Sequence, residues 1–167
     1  MVLERKISSG EAFALMHIDL DYFKAVNDTL GHAAGDYVLQ KVAEVMVAET
    51  RDTDTVARVG GDEFTVILPK VRSEEVLHRG GRRIIDRLEG PIPFEGEECR
   101  ISASIGTVSI QAGEAGTPEQ ALSDADVALY ASKHAGRAQQ TFYDPSLRKA
   151  ANAGQPPKGR PDRRKEA

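Results

Sequence analysis

Two strand-like segments joined by a pair of glycines restrict the fold of this chain more than any other feature. Val56–Val59 has the pattern of a short strand, and Phe64–Leu68 has that of a second one, rich in β-branched residues. Gly60 and Gly61 permit the backbone angles of a tight chain reversal, so the segment predicts a β-hairpin. Because glycine has no side chain, the tip of such a hairpin is also open to a ligand.

Carboxylates stand at this hairpin and at the end of another predicted strand. Asp62 and Glu63 follow the glycines, and Asp19 follows Phe13–Ile18, an apolar run typical of a buried strand. Each cluster taken alone is explained by an ordinary turn or by solvation of a strand end. If the two strands are neighbours, however, Asp19 and Asp62 can share a divalent cation while Lys24 meets phosphate oxygens. Metal-dependent phosphoryl and nucleotidyl transferases have this arrangement.

Further motifs, spread over residues 12–143, carry a family resemblance. In chain order they are Asp19-Leu20-Asp21-Tyr22-Phe23-Lys24, Asn27-Asp28, Gly31-His32, Gly35-Asp36, Arg58 with the hairpin, Ser104-Ile105-Gly106, and Tyr130 through Arg137. With this order and spacing the chain resembles a GGDEF domain, the catalytic domain of diguanylate cyclases. The resemblance implies synthesis of cyclic di-GMP and pyrophosphate from two GTP molecules, one on each subunit of a homodimer.

The resemblance also implies roles for individual residues. Two Mg²⁺ or Mn²⁺ ions per active site would be held by Asp19, the carbonyl of Leu20, Asp62 and Glu63. Glu63 would either bind metal or help to deprotonate the attacking 3′-hydroxyl, and Lys24 and Arg58 would join it and Asp62 in catalysis. The substrate-binding positions would be Tyr22, Phe23, Lys24, Asn27, Asp36, Gly60, Gly61, Lys133 and Arg137.

Several of these positions have a second explanation. Asn27 and Asp36 match the family's guanine-reading positions, where a carboxylate accepts from N1 and N2 and so rejects adenine. Asp36 would also be a suitable cap for a helix whose apolar pattern begins at Val38. The resemblance implies that Lys133 and Arg137, four residues apart, contact the triphosphate; without it, they are more typical of a solvated last helical turn.

A regulatory site is implied by Arg51 and Asp54, which match the family's RxxD inhibitory motif. In the family these residues bind the product, and Arg82 or Arg83 on the next helix would supply a second contact. Without the resemblance, the same residues describe a polar loop at a helix end and a solvated basic helix face.

Composition is consistent with a single enzyme domain in the cytoplasm. The 167 residues carry a formal charge of −4 without a strong basic face, which argues against nucleic acid as a partner. Cys99 is the only cysteine, so an internal disulfide is excluded. No apolar run of the sequence is long enough to span a bilayer. We expect a GGDEF domain at 1–144, without the family's usual N-terminal D-x-L-T-x-L-x-N-R segment, and a disordered tail at 145–167.

The predicted fold class is α/β, with a central mixed sheet, helices on both faces and the signature on a hairpin. The predicted elements are a strand at 13–19, a helix at 36–50, the hairpin at 56–68, a helix at 73–89, a strand at 99–110, a helix at 117–135 and a strand at 141–143. The family shares a palm-like α+β plan with nucleotide cyclases and polymerases.

Three functions remain open at this stage. Diguanylate cyclase activity is favoured. A truncated, weakly active or inactive domain could instead bind cyclic di-GMP or GTP without useful turnover, because the usual N-terminal segment is missing. A different nucleotidyl transferase on the same plan is the third, although Asn27 and Asp36 favour guanine.

Overall fold

A computed structural model describes residues 2–70, 73–114 and 116–154. The helices are α1 (Val2–Ser8), α2 (Phe23–Leu30), α3 (His32–Glu49), α4 (Glu74–Leu88), α5 (Pro118–His134) and α6 (Pro145–Asn152). The strands are β1 (Phe13–Asp21), β2 (Thr55–Arg58), β3 (Glu63–Pro69), β4 (Ile92–Phe94), β5 (Glu97–Cys99), β6 (Ser102–Ile110) and β7 (Gln140–Phe142). None of the helices in the described part of the chain is both long and apolar enough to cross a membrane.

The main sheet has β1 at its centre. Its strand order is β2-β3-β1-β6-β7, in which β1 is antiparallel to both β3 and β6, while β7 is parallel to β6. All nine residues of β1 are buried, which explains its almost continuous apolar sequence. β4 and β5 form a separate small hairpin. The mixed sheet confirms the predicted fold class.

The two faces of β1 pack against different helices. Side chains at its even-numbered positions join the larger core cluster with α3 and α4, and those at its first odd-numbered positions, Phe13 and Leu15, pack with α1 and α5. Farther along the strand the odd positions become His17, Asp19 and Asp21, all of them buried. The face toward α5 therefore changes from apolar to polar along β1, and this change creates the functional end of the sheet.

α5 lies directly against the backbone of β6 because Gly106 has no side chain. A Cβ atom at this position would be 2.2 Å from the carbonyl oxygen of Ala125 and 2.3 Å from the amide nitrogen of Leu129. Ala125 and Ala128 are fully buried in the same contact region of the helix. This close approach allows the last turns of α5 to reach the polar end of β1.

Two predicted elements begin elsewhere than expected. α3 starts at His32 after Gly31, so Asp36 lies in the second turn of the helix, and the interpretation of Asp36 as a helix cap is wrong. The predicted strand at 99–110 is interrupted at Arg100 and Ile101, because its first residues pair with β4 in the small hairpin.

The predicted tail contains a helix in its first part, so disorder is wrong for 145–152. The side chain of Asp144 accepts from the amide of Ser146 and caps α6. Leu147 is buried, and the Nη2 atom of Arg148 lies 2.6 Å from a carboxylate oxygen of Asp124 in α5. A single apolar anchor and an ion pair produce no hydrophobic period, which is why the sequence pattern missed this helix. Residues 155–167 lie outside the described ranges.

Candidate functional site

Strand pairing brings the two acidic clusters together. In the register of β1 and β3, Asp19 is opposite Glu63. The amide of Leu20 donates to the carbonyl oxygen of Asp62 at 3.0 Å, which extends the ladder into the hairpin. From the sequence, Asp19 and Asp62 could meet only if their two strands were neighbours. In the folded sheet, β1 and β3 are neighbours.

Negative charge accumulates at this edge. Burial raises the pKa of Asp62, and the nearby charge of Asp19 raises it further, while Lys133 acts in the opposite direction. Asp19 itself is almost completely buried. Two carboxylates and adjacent carbonyl oxygens are the donor types that hard divalent cations prefer. Within the described ranges, no three acidic, histidine or cysteine side chains are close enough to form a complete metal site by themselves.

The polar residues of β1 are matched by residues of α5 and the turn after it. Lys133 forms an ion pair with Asp19, and Asp126 contacts the imidazole of His17. One turn beyond Lys133, the Nε atom of Arg137 lies 3.9 Å from an oxygen of Asp21. The three contacts follow one another in the same order along β1 and along residues 126–137.

Asp21 is the most enclosed acid of the group. Its carboxylate accepts from the hydroxyl of Ser104, 2.9 Å from each oxygen, and from the amide of Ala138 at 3.0 Å. The sequence alone indicated no role for Asp21 or Ser104. The available signal was weak, because Asp21 follows Asp19 and Ser104 follows Ser102 at alternate positions, so neither polar residue is isolated.

The hairpin tip is held in shape by its own arginine. The guanidinium of Arg58 donates to the carbonyl oxygen of Gly60 at 3.1 Å and to that of Gly61 at 2.8 and 3.0 Å. The amide of Val59 donates to the carbonyl of Glu63 at 3.0 Å and closes the turn. A Cβ atom at Gly60 would come within 3.0 Å of a carboxylate oxygen of Glu63. Arg58 therefore organises the loop that carries the two acids.

The chain leaves β1 through a sharp turn into α2. Tyr22 has a left-handed backbone conformation, with φ of 68°, and its side chain is exposed. Phe23 is buried as the first residue of α2, and Lys24 follows it on the exposed side. The free amides of the first helical turn consequently lie at the end of β1, next to the acidic residues.

A second glycine brings the two predicted guanine-reading residues together. A Cβ atom at Gly35 would lie 1.8 Å from the side-chain oxygen of Asn27, so only glycine permits this contact between α2 and α3. Asp36, the next residue, is exposed. The side-chain amide of Asn27 therefore lies against α3 at the residue that precedes Asp36.

The predicted inhibitory motif forms a compact turn. The amide of Arg51 donates to a carboxylate oxygen of Asp54 at 2.8 Å, and the amide of Asp54 donates to the carbonyl of Arg51 at 2.8 Å. Arg82 is directed elsewhere, since its guanidinium lies 2.7 Å from Asp86 and 3.3 Å from the carbonyl of Ala138.

Two arginines of α4, Arg83 and Arg87, are joined through Glu49, at the end of α3. Its carboxylate accepts from Arg83 at 2.9 Å and from Arg87 at 2.6 Å. These hydrogen bonds, with that from Arg87 the stronger, lower the pKa of Glu49. Of the two arginines considered for the second contact, Arg83 is thus the one tied to the helix end that precedes Arg51.

Comparison with known proteins decides the family. The family described as diguanylate cyclase, GGDEF domain, matches residues 2–139 of this chain. The chain belongs to the GGDEF family. Its similarity to a GGDEF domain, first indicated by the spaced motifs, is thereby confirmed.

Curated relatives of this GGDEF domain are longer proteins. It is 40% identical over 145 residues to "Probable diguanylate cyclase DgcE" of Escherichia coli, covering 87% of this chain and 13% of that protein. It is 38% identical over 146 residues to diguanylate cyclase A of Treponema denticola, covering 86% of this chain and 39% of that protein. The chain therefore spans well under half the length of these relatives.

Solved structures of GGDEF domains match over most of both chains. The GGDEF domain of TpbB (YfiN) from Pseudomonas aeruginosa has a TM-score of 0.84 and 35% identity, covering 90% of each chain. The GGDEF domain of DgcB from Caulobacter crescentus, solved with cyclic di-GMP, has a TM-score of 0.77 and 31% identity, covering 84% of this chain and 85% of that one.

Proposed function

We propose that this GGDEF domain is a diguanylate cyclase, which condenses two GTP molecules into cyclic di-GMP and releases two pyrophosphates. The observation that carries the proposal is the strand register that sets Asp19 beside Asp62 and Glu63. Membership of a family whose relatives are named diguanylate cyclases supports the same reaction. We further propose that it acts in the cytoplasm, where GTP is available.

Two Mg²⁺ or Mn²⁺ ions would be held by Asp19, the carbonyl of Leu20 and Asp62, with Glu63 as an additional ligand. The donor set fits, because carboxylate and carbonyl oxygens suit these ions. The raised pKa of Asp62 fits as well, since burial and then the charge of Asp19 disfavour its carboxylate, and a cation would offset both. When bound, the ions would supply Lewis-acid stabilisation of the reacting phosphate and complete their shells with triphosphate oxygens.

The triphosphate would be held by the first turn of α2 and by the cations of α5. The backbone amides of Tyr22 and Phe23, with Lys24, would bind the β and γ phosphates. Lys133 and Arg137 now contact Asp19 and Asp21, and they would turn toward the phosphates when GTP enters. Gly60 and Gly61 would give the substrate room above the hairpin.

Glu63 has two possible roles in the reaction. Its side chain is 43% exposed, so a ribose 3′-hydroxyl can reach it. In one role it accepts the hydroxyl proton, and in the other it completes the metal shell. Arg58 would contribute by fixing the carbonyls of the signature loop rather than by touching the nucleotide.

Guanine would be read by Asn27 and Asp36. The amide of Asn27 can meet both a donor and an acceptor edge of the base, whereas a carboxylate matches the two donors N1 and N2. Adenine lacks this pair of donors and would leave Asp36 unpaired. The contact between Asn27 and Gly35 supports the assignment, because it places the amide against the residue that precedes Asp36 in the chain.

The reaction would take place between two subunits. One chain offers the residues for one GTP, so the 3′-hydroxyl of each GTP would attack the α-phosphate of the GTP on the facing subunit. The rate would then depend on the population of the homodimer.

Feedback by the product is a further part of the proposal. Arg51 and Asp54 would bind cyclic di-GMP at the end of α3, with Arg83, rather than its alternative Arg82, as the second contact. The compact turn of this motif supports the assignment, since it presents an exposed arginine. The complex of DgcB with cyclic di-GMP shows that such a relative binds the product.

A GTP- or cyclic di-GMP-binding module without useful turnover is the second candidate. It is favoured by the ion pair of Lys133 with Asp19, which occupies a proposed metal ligand. The purified chain at high concentration is incubated with GTP and Mg²⁺, and the nucleotides are separated by chromatography. Cyclic di-GMP with pyrophosphate is expected. Bound nucleotide without product would favour the module, and a monomeric cyclic nucleotide would indicate another cyclase.

A further inference from the structure

Asp21 is a buried carboxylate that the proposed reaction leaves without a role. Its side chain is only 1% exposed, and both oxygens accept from Ser104. One oxygen also accepts from the amide of Ala138. A buried carboxylate is tolerated only when it is hydrogen-bonded or paired with a charge. The hydroxyl of Ser104 and the amide of Ala138 are therefore held in place by Asp21, just as they stabilise its charge.

The segment on which Asp21 acts has an unfavourable backbone. Arg137 and Ala138 both have left-handed conformations, with φ of 63° and 50°, directly after Gly136. Side chains disfavour this region, and two consecutive residues adopt it only where surrounding contacts fix them. The amide of Ala138 bonded to Asp21 is one such contact, and the amide of Arg137 bonded to the carbonyl of Ser132 at 3.0 Å is another.

The orientation of the turn determines where the guanidinium of Arg137 lies. The side chain of Arg137 is 51% exposed and its Nε atom is 3.9 Å from Asp21. It is therefore held near the acidic end of β1 by a loose ion pair, while the backbone beneath it is held by a direct hydrogen bond. The same carboxylate fixes the position of the arginine and leaves its charged end available.

We propose that Asp21 is a positioning residue for nucleotide binding, acting through Arg137. Together with Ser104, it fixes the turn after α5 so that the guanidinium of Arg137 faces the phosphates of GTP. Asp21 itself contacts neither GTP nor metal, because its oxygens are enclosed and already bonded. This inference rests on the proposed function.

The test measures binding of 3′-deoxy-GTP, which lacks the attacking hydroxyl, to the full chain by calorimetry with Mg²⁺. Asp21→Asn keeps the shape but removes the charge, and we expect affinity to fall about tenfold. Arg137→Ala should have a similar effect. The double variant should bind no more weakly than Arg137→Ala alone, since one residue acts through the other.

Ser104→Ala provides a milder variant if Asp21→Asn does not fold, as judged by circular dichroism. It removes one donor to Asp21 and should also weaken binding. Ser102→Ala is the matched control, because Ser102 lies on the same strand but donates to Glu89 instead. Its affinity for the analogue should equal that of the unmodified chain.

Three outcomes would overturn the inference while the unmodified chain binds the analogue. They are full affinity in Asp21→Asn and Ser104→Ala, additive losses in the double variant, and weakened binding of Mn²⁺ alone in Asp21→Asn. The last would make Asp21 a metal ligand. If the unmodified chain binds no analogue at all, the proposed function fails first, and the two failures are thus distinguishable.

Discussion

The acidic end of β1 and the turn at residues 51–54 are both polar, but they are built in opposite ways. At the acidic end, Asp19 meets Lys133 and Asp21 meets the amide of Ala138, partners 114 and 117 residues apart in the chain. In the turn, Arg51 and Asp54 are three residues apart, and the amide of Arg51 donates to the carboxylate of Asp54. The first site exists only when the whole sheet is assembled, whereas the second is a local structure. Substitutions should therefore affect stability at the first and ligand binding alone at the second.

The largest effect should come from the glycine that lets α5 reach the sheet. Gly106→Ala would put a Cβ atom against the backbone of α5, so we expect a loss of about 3 kcal/mol in the free energy of unfolding by urea at pH 7. Gly80→Ala, on α4, is the control. Nothing lies within 4 Å of the added atom there, and replacing a helical glycine should stabilise by about 0.5–1 kcal/mol. Equal stabilities of the two variants would contradict the close approach of α5.

Asp62→Asn, at the acidic end of β1, should change catalytic activity and thermal stability in opposite directions. We expect cyclic di-GMP formation to fall by at least about a hundredfold, because a proposed metal ligand is lost. Thermal stability at pH 7 should rise.

The sign follows from the raised pKa of Asp62. A group whose pKa is higher in the folded state contributes stability below its unfolded pKa and loses it as pH rises through the folded value. The melting temperature of the unmodified chain should therefore drop below that of the variant as pH rises from about 3 to 7. The two melting temperatures should converge at acid pH. A variant that is less stable at neutral pH would contradict the charge accumulation.

Arg51→Ala should act in the opposite manner. Binding of cyclic di-GMP, measured by calorimetry, should be lost, while the free energy of unfolding changes by less than about 0.5 kcal/mol. Arg100→Ala removes another exposed arginine side chain, which is paired with Glu98, and serves as the control. Undiminished product binding in Arg51→Ala would remove the proposed regulatory site.

The smallest effect is expected at Glu49, between the two regions. Glu49→Gln weakens its hydrogen bonds to Arg83 and Arg87, which should cost about 0.5–1 kcal/mol at pH 7. Because folding lowers the pKa of Glu49, its contribution is present above the ordinary pKa of glutamate, about 4.3, and disappears as pH falls through the folded value. Urea titrations at pH 7 and pH 3 test this. If the difference in the free energy of unfolding between Glu49→Gln and the unmodified chain is the same at pH 3, the loss of stability comes from packing and not from the charge of Glu49.

Sequence patterns predicted the elements of the site better than the contacts between them. The apolar run that becomes β1 and the hairpin with its two acids are local signals, and both lie where expected. The pairing of β1 with β3 depends on the whole sheet, so the motifs could indicate it only through the family resemblance. Arg82 and Arg83 stayed alternatives for the second contact, because neighbouring residues of a helix cannot be told apart without knowing which face packs against α3.

Other features escaped because their signals are weak or long-range. α6 is anchored by Leu147 and one ion pair, too little for a periodic pattern. The cap expected at Asp36 failed because the helix begins earlier, at a glycine with no capping side chain. The roles of Asp21 and Ser104 become apparent only from their hydrogen bond across two neighbouring strands, since each strand carries other polar residues as well.

β1 occupies the middle of the sheet, yet it is synthesised before both strands that flank it. During synthesis on the ribosome, the hydrophobic residues of β1 stay uncovered until β3, then β6 and finally α5 have been made. Contacts between residues far apart in the sequence slow folding, because long loops have to close before these stabilising contacts form. A nascent chain that ends short of α5 would carry the acidic motif without its lysine, and its uncovered strands would be prone to aggregation.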